Sequence, residues 1–181
     1  TIDTGSVSDI TDAALDGNLA TGLTINLAAN TDISDAVIKG TEDTQDADYS
    51  VTLASGVNAT MSIAQHLLIS TATDTNTVTL SDANNATGHA QVEAYVLAAA
   101  GNSTFTLGDA AQSVTTGGNG DDTINVSTLT ATGTFNTSAG DTISLGNGAN
   151  ISGVKGEGGD TGAVLDATKL TLASGASVTM T

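Results

Sequence analysis

A short apolar–polar–apolar triplet recurs along this chain and is its most regular feature. The triplets are Ile25–Leu27, Val51–Leu53, Val78–Leu80, Phe105–Leu107, Ile124–Val126, Ile143–Leu145 and Leu170–Leu172. Their first residues follow one another at steps of 26, 27, 27, 19, 19 and 27 positions. Because the side chains of a strand alternate between its two sides, each triplet predicts a short strand with one buried face.

The repeated spacing predicts an all-β fold, a parallel β-solenoid of the β-roll or β-helix kind, with coils of about 19 and 27 residues. One coil cannot bury its own apolar face, but stacked coils share a narrow core. The short coil fits two short strands and two tight corners, and the long coil has room for a third strand or a longer corner. An antiparallel β-sandwich is the alternative, since it also has a strand about every 8 to 12 residues, but it gives no reason for the repeated spacing.

Weaker alternation between the triplets predicts further strands. They are Met61–Ile63, Leu67–Ile69, Val92–Leu97, Thr134–Asn136 and Val178–Met180. Residues 89–100 also have helix propensity, but their place in the repeat favours a strand. Residues 1–20 are rich in aspartate and weakly periodic, so we expect an N-terminal cap or arm there and the solenoid domain over residues 21–181.

Charge and composition restrict the partners of the chain. With 20 acidic and 3 basic residues the formal charge is −17, which disfavours nucleic acid and an anionic membrane surface and favours a cation. There is no cysteine, so disulfides and thiolate metal sites are excluded. No apolar run approaches the roughly 18 to 20 residues of a membrane helix, so we expect no membrane insertion. The first residue is Thr1, which suggests a processed product or a piece of a longer protein.

The segment Gly117–Asn125 stands apart from the rest of the chain. It reads GGNGDDTIN and matches the nonapeptide Gly-Gly-x-Gly-x-Asp-x-apolar-x at every fixed position. It resembles the RTX, or hemolysin-type, calcium-binding repeat that is found in bacterial surface-layer proteins and large repeat adhesins. The resemblance implies an extracellular protein of the bacterial cell surface, with Ca²⁺ held between stacked turns.

Calcium between turns requires the acidic residue to recur one coil later. Asp-Thr steps recur at the interval of the short coil, at Asp122, Asp141 and Asp160. Carboxylates stacked about 4.8 Å apart repel each other, and Ca²⁺ prefers about six to eight oxygen ligands. We therefore expect RTX-like turns over residues 117–160. The predicted ligands are the carbonyl groups of Gly117, Asn119 and Gly120 and the carboxylates of Asp122, Asp141 and Asp160.

The copies of the nonapeptide are incomplete, which leaves a second interpretation open. The second copy, NTSAGDT, lacks the leading glycines, and the third is out of phase with the long step to Leu170. In the second interpretation these are ordinary solenoid corners, in which each aspartate accepts hydrogen bonds from backbone amides. In both, Asp121 is expected to point to solvent.

Catalysis has little support in the sequence. The only histidines are His66 and His89, His66 being expected on a strand, and no Gly-x-Ser-x-Gly elbow is present. We therefore expect no enzyme, but a structural calcium-binding protein that assembles with copies of itself into a surface layer or filament, with cell-surface polysaccharide as a second partner. The alternatives are a non-polymerising adhesin stalk or ligand-binding module, and a calcium-triggered folding cassette of a larger secreted protein.

Overall fold

The fold is an all-β parallel solenoid, as the repeated spacing predicts. The computed structural model describes residues 2–3, 14–16, 23–39, 49–73, 75–155, 169–175 and 177. The chain divides into two compact units, unit 1 (Thr1–Ser81) and unit 2 (Asp82–Thr181). Each unit is built from short parallel strands joined by tight corners.

Unit 1 contains nine described strands and one short helix. The strands are β1 (Ile2–Asp3), β2 (Ala14–Asp16), β3 (Leu23–Leu27), β4 (Thr31–Asp32), β5 (Val37–Lys39), β6 (Tyr49–Leu53), β7 (Asn58–Met61), β8 (Ile69–Thr71) and β9 (Thr77–Leu80). Parallel pairing joins them in the orders β1-β3-β6-β8, β4-β7-β9 and β2-β5. The two strands within residues 1–20, β1 and β2, pair with β3 and β5. Whether residues 1–20 act as a cap or arm stays a prediction.

Unit 2 contains eight described strands. They are β10 (Asn85–Thr87), β11 (Ala94–Val96), β12 (Thr104–Thr106), β13 (Ser113–Thr115), β14 (Thr123–Val126), β15 (Phe135–Asn136), β16 (Thr142–Leu145) and β17 (Lys169–Leu172). They pair in parallel in the orders β10-β12-β14-β16-β17 and β11-β13-β15. Among the described residues, three successive coils each contribute one strand to each of the two sheets: β10 and β11, β12 and β13, and β14 and β15.

The register of unit 2 confirms both predicted kinds of coil. Phe105 pairs with Ile124, and Ile124 pairs with Ile143, each one short coil further along the chain. Ile143 then pairs with Leu170 after one long coil. The triplets of β12, β14, β16 and β17 thus lie above one another in one sheet, as their spacing predicts.

The sequence spacing predicts one long coil from Val51 to Val78 and another from Val78 to Phe105, and this prediction is wrong. Val51 pairs with Ile69 on the next coil. Val78 pairs with Ala59, in a different sheet from Val51. Both sheets of a thin coil show the same alternation, so the triplet does not reveal to which sheet a strand belongs.

The core of each unit is narrow and is filled by the inward-facing residues of the triplets. Ile25 and Val51 in unit 1, and Ile124 in unit 2, have no exposed surface. In unit 2 the rings of Tyr95 and Phe105 pack with their centroids 4.5 Å apart. These two aromatic residues therefore serve packing. The alternate positions of β12 and β14 carry small polar side chains that are partly exposed.

The weaker strand predictions are only partly correct. Strands form at Ile69–Thr71, Ala94–Val96 and Phe135–Asn136, while Val178–Met180 lies outside the described residues. At residues 89–100 the strand interpretation, not the helix, is confirmed within Ala94–Val96.

The helix α1 (Ile63–His66) was not predicted, and it places His66 on a buried helical turn instead of a strand. A capping box explains it. Ser62 Oγ accepts from the Gln65 amide at 3.3 Å, and Gln65 Oε1 accepts from the Ser62 amide at 2.8 Å. In the described part of the chain, no helix is both long and apolar enough to cross a membrane.

Candidate functional site

Asp122 and Asp141 lie one coil apart, each directly before a strand of the same sheet. β14 begins at Thr123 and β16 at Thr142, and these two threonines pair with each other. The side chain of Asp122 is 1 % exposed and that of Asp141 is 0 % exposed, so both carboxylates point inward. Asp121 is exposed, as expected. Asp160 lies outside the described residues.

Both oxygens of Asp122 accept hydrogen bonds from backbone amides. Oδ1 accepts from the amide of Ser103, on the preceding coil, at 2.7 Å. Oδ2 accepts from the amide of Gly117, in its own turn, at 2.8 Å. The carboxylate therefore joins two successive coils, and amide dipoles oppose its charge.

Asp141 repeats this arrangement one coil later. Its Oδ1 accepts from the amide of Asp122 at 2.8 Å. Its Oδ2 accepts from the Ser138 amide at 2.6 Å and from the Thr116 hydroxyl at 2.5 Å. Each carboxylate is therefore held by donors on the preceding coil and in its own turn. The Asp122 amide is the donor that links the two aspartates.

This geometry fits a calcium site poorly. All four carboxylate oxygens already accept a hydrogen bond from an N–H or O–H donor, and the positive hydrogen beside each oxygen disfavours a cation there. The Asn119 carbonyl, a predicted ligand, accepts from the Gly101 amide at 3.3 Å. Among the described residues, no group of three or more His, Cys, Asp or Glu side chains is arranged to hold a metal ion. Calcium at these residues stays a prediction without geometric support.

The glycines of the nonapeptide have a packing role that needs no ion. A Cβ atom on Gly117 would lie 2.0 Å from the carbonyl oxygen of Ala98, and one on Gly120 would lie 2.0 Å from that of Gly101. Real Cβ atoms do not approach an oxygen so closely, so these corners stack only with glycine. The same approach, at 1.8 to 2.2 Å, occurs outside the nonapeptide, at Gly108, Gly133 and Gly146.

Buried side-chain amides form a second set of corner contacts, which was not predicted from the sequence. Gln112, directly before β13, is 1 % exposed. Its Nε2 donates to the carbonyls of His89 at 2.8 Å and Val92 at 3.0 Å, on the preceding coil. Its Oε1 accepts from the amides of Gly108 at 2.8 Å and Asp109 at 3.2 Å. One side chain therefore satisfies four backbone groups.

Unit 1 repeats this contact twice. Nε2 of Gln65 donates to the carbonyls of Ile33 and Ala36 at 2.6 and 3.1 Å. Nδ2 of Asn76, directly before β9, donates to two further carbonyls three residues apart, those of Ala54 and Val57, at 2.7 and 3.1 Å. We call Gln65, Asn76 and Gln112 the amide clamps, because each holds both ends of a tight turn on the preceding coil.

In the sequence, the buried polar residues before the strands could have been recognised by their position. Each is a polar side chain where the strand alternation places an inward-facing residue. Along β14 the alternation places Asp122 on the same side as Ile124 and Val126, which are fully buried. Asn76 stands in the same relation to Val78, and Gln112 to Val114. A buried polar side chain at the start of a strand needs partners, and the neighbouring corner supplies them.

A scan against protein-family models, a search of curated proteins and a search of solved structures gave no significant match. The resemblance of Gly117–Asn125 to the RTX repeat therefore stays a prediction.

Proposed function

We propose that this chain is a structural, non-catalytic protein that assembles with copies of itself by end-to-end stacking of solenoid coils. The setting we propose is extracellular, at a bacterial cell surface, where such stacking would build a layer or filament. The setting rests on the resemblance of the nonapeptide alone. The assembly rests on the last described strand of unit 2.

The observation that supports assembly is the incompletely covered face of β17. In β16, Ile143 and Leu145 have no exposed surface, because coils lie on both sides of them. In β17 the paired residues are Leu170, which is half-buried, and Leu172, which is 52 % exposed. Among the described residues, β17 pairs only with β16. An edge strand with exposed apolar side chains favours pairing with another strand.

Net charge regulates this stacking in the proposal. At −17, two copies repel each other at long range, and salt screens that repulsion within about 10 Å at 0.1 M ionic strength. Assembly should therefore strengthen with ionic strength, whichever cation is supplied.

Replacing Leu172 with aspartate is expected to abolish assembly, because a charged group would face the incoming coil. The folding cost should be small, since the side chain is already half exposed. Leu67→Asp is the matched control, because Leu67 is 70 % exposed and belongs to unit 1. Sedimentation velocity over a range of protein and salt concentrations measures the effect.

In this experiment the wild type and Leu67→Asp should both form large species at high salt, while Leu172→Asp stays monomeric. A wild type that is monomeric under all conditions would refute self-assembly. Assembly of Leu172→Asp that equals the wild type would refute the assignment of β17 as the contact.

A non-polymerising binding module is the second candidate, favoured by the outer face of β12, β14 and β16. Two columns of uncharged polar side chains run across these strands in register. The first column is Thr104, Thr123 and Thr142, and the second is Thr106, Asn125 and Ser144. Hydroxyl and amide groups without charge suit a neutral polysaccharide. A monomeric wild type that is retained on such a polysaccharide would favour this function.

A further inference from the structure

We infer that the corner formed by Gly117, Asp122 and Asp141 is a calcium-independent element of the solenoid, although its sequence matches the RTX nonapeptide. Each aspartate serves as the acceptor for the backbone amides of two coils. The inference concerns folding and is independent of the proposed assembly.

The hydrogen bonds of the two aspartates follow the coil repeat. Oδ1 of each aspartate accepts from the amide of the residue 19 positions earlier, Ser103 for Asp122 and Asp122 for Asp141. Oδ2 of each accepts from an amide of its own turn, Gly117 or Ser138. A repeated contact of this kind aligns each new coil on the last one, which is the task assigned to the ion in the calcium interpretation.

Hydrogen-bond donors also compensate the charges of the two buried aspartates. A buried carboxylate is costly unless donors surround it, and charge-assisted hydrogen bonds from amides are roughly twice as strong as neutral ones. Asp122 and Asp141 together accept four amide bonds and one hydroxyl bond. These donors offset the repulsion between the two stacked charges, so a cation is not needed for that purpose.

Corners of unit 2 outside the nonapeptide have a similar construction. The close approach that requires glycine at Gly117 also occurs at Gly108 and Gly133. At Gly108 the neighbouring inward polar residue is Gln112, a neutral amide that cannot bind calcium with its NH₂ group. Its Oε1 accepts from the Gly108 amide at 2.8 Å, as Asp122 Oδ2 does from the Gly117 amide. A glycine corner held by a side-chain acceptor thus also occurs outside the nonapeptide, where the acceptor is a neutral amide.

The test compares calcium-dependent stability in two asparagine variants. Asp141→Asn replaces one acceptor oxygen with a donor, so it should lower the thermal midpoint by roughly 5 to 10 °C. Asp121→Asn makes the same charge change at the exposed neighbour in the motif and should leave the midpoint within about 1 °C. Circular dichroism melts of the full chain are recorded in EDTA and in millimolar calcium chloride.

If the corner is independent of calcium, calcium should shift the thermal midpoint equally in the wild type and in Asp141→Asn. Ions bound elsewhere on the chain would stabilise both proteins to the same extent. A shift present in the wild type and absent in Asp141→Asn would overturn it.

A second measurement covers the case in which Asp141→Asn does not fold. Amide NMR signals of Ser103, Gly117 and Asp122 in the wild type should keep their positions when calcium replaces EDTA. Saturable movement of these three signals, or a wild type that unfolds in EDTA, would contradict a calcium-independent corner.

Discussion

Replacing Gly117 with alanine should destabilise unit 2 by about 3 kcal/mol, the upper part of the usual range for overpacking. The added Cβ would lie 2.0 Å from the carbonyl oxygen of Ala98 and 3.2 Å from the Cα atom of Ala99. Both contacts are with backbone, so no side chain can rotate away to relieve them. Relief requires the coils to separate locally, which weakens the ladder that holds the corner together.

Gly118→Ala is the control for this prediction, because it makes the same change one residue later. Nothing lies within 4 Å of a Cβ atom there, and Gly118 is not among the glycines with positive φ. Alanine should therefore be neutral or slightly stabilising at this position. Urea denaturation of the full chain measures both free energies of unfolding. Equal stability of the two variants would show that the close approach of coils at Gly117 does not exist.

The stacking of β12, β14 and β16 could be predicted from sequence because two conditions coincide there. Phe105, Ile124 and Ile143 recur at one constant interval, and each begins an apolar–polar–apolar triplet. A constant interval requires each coil to have the same path length, so equivalent residues must lie above one another. The fold class follows from this regularity alone and needs no knowledge of individual contacts.

The sheet to which each strand belongs could not be predicted by the same reasoning. Val78 has the triplet pattern of Val51, yet it pairs with Ala59. Ala59 is buried at 2 % exposure but lies in the segment Asn58–Met61, whose polar and small residues give a weak signal. In a coil that contributes to two sheets, one strongly apolar strand is enough to show the repeat in the sequence. The weaker strand of the same coil then has no clear sequence signal.

The sequence predicted the position of the candidate site and left its chemistry open between a calcium ion and backbone amides. The interval between Asp122 and Asp141 correctly indicates that they lie one coil apart. The groups that face their oxygens are mostly backbone amides, which every residue except proline possesses and which therefore leave no trace in the sequence. A calcium site and an amide-filled corner consequently require the same aspartate spacing and the same glycines.

The amide clamps at Asn76 and Gln112 show that the alternation of a strand extends to the residue before it, and that a polar residue at that inward position predicts a buried contact. Gln112 occupies an inward position two residues before Val114, where an apolar side chain would be the ordinary choice. A polar side chain at such a position indicates a buried contact with a neighbouring corner. Its partners are carbonyls at both ends of a turn, which only a group with two N–H donors can satisfy together.

Gln112→Glu should therefore destabilise unit 2 by about 4 kcal/mol, because it buries a charge, removes the donor of the Val92 carbonyl and removes one of the two donors of the His89 carbonyl. The new carboxylate would face the carbonyls of His89 and Val92, which Nε2 of Gln112 now contacts at 2.8 and 3.0 Å. The loss should shrink at acid pH. Burial raises the pKa of such a carboxyl group above its value in the unfolded chain, so its protonated form, with one O–H donor, stabilises the folded state.

Gln91→Glu makes the same chemical change at an exposed position of the same corner and should cost less than about 0.5 kcal/mol at any pH. Urea denaturation of both variants at neutral and at mildly acid pH separates a buried clamp from a general effect of added charge. If Gln112 is a clamp, Gln112→Glu alone should show a large loss of unfolding free energy. That loss should become smaller as the pH is lowered. If the two variants lost stability equally, or if the deficit of Gln112→Glu did not shrink as the pH is lowered, Gln112 would not hold the His89–Val92 turn, because protonation of a carboxyl group buried there should return a donor to the turn.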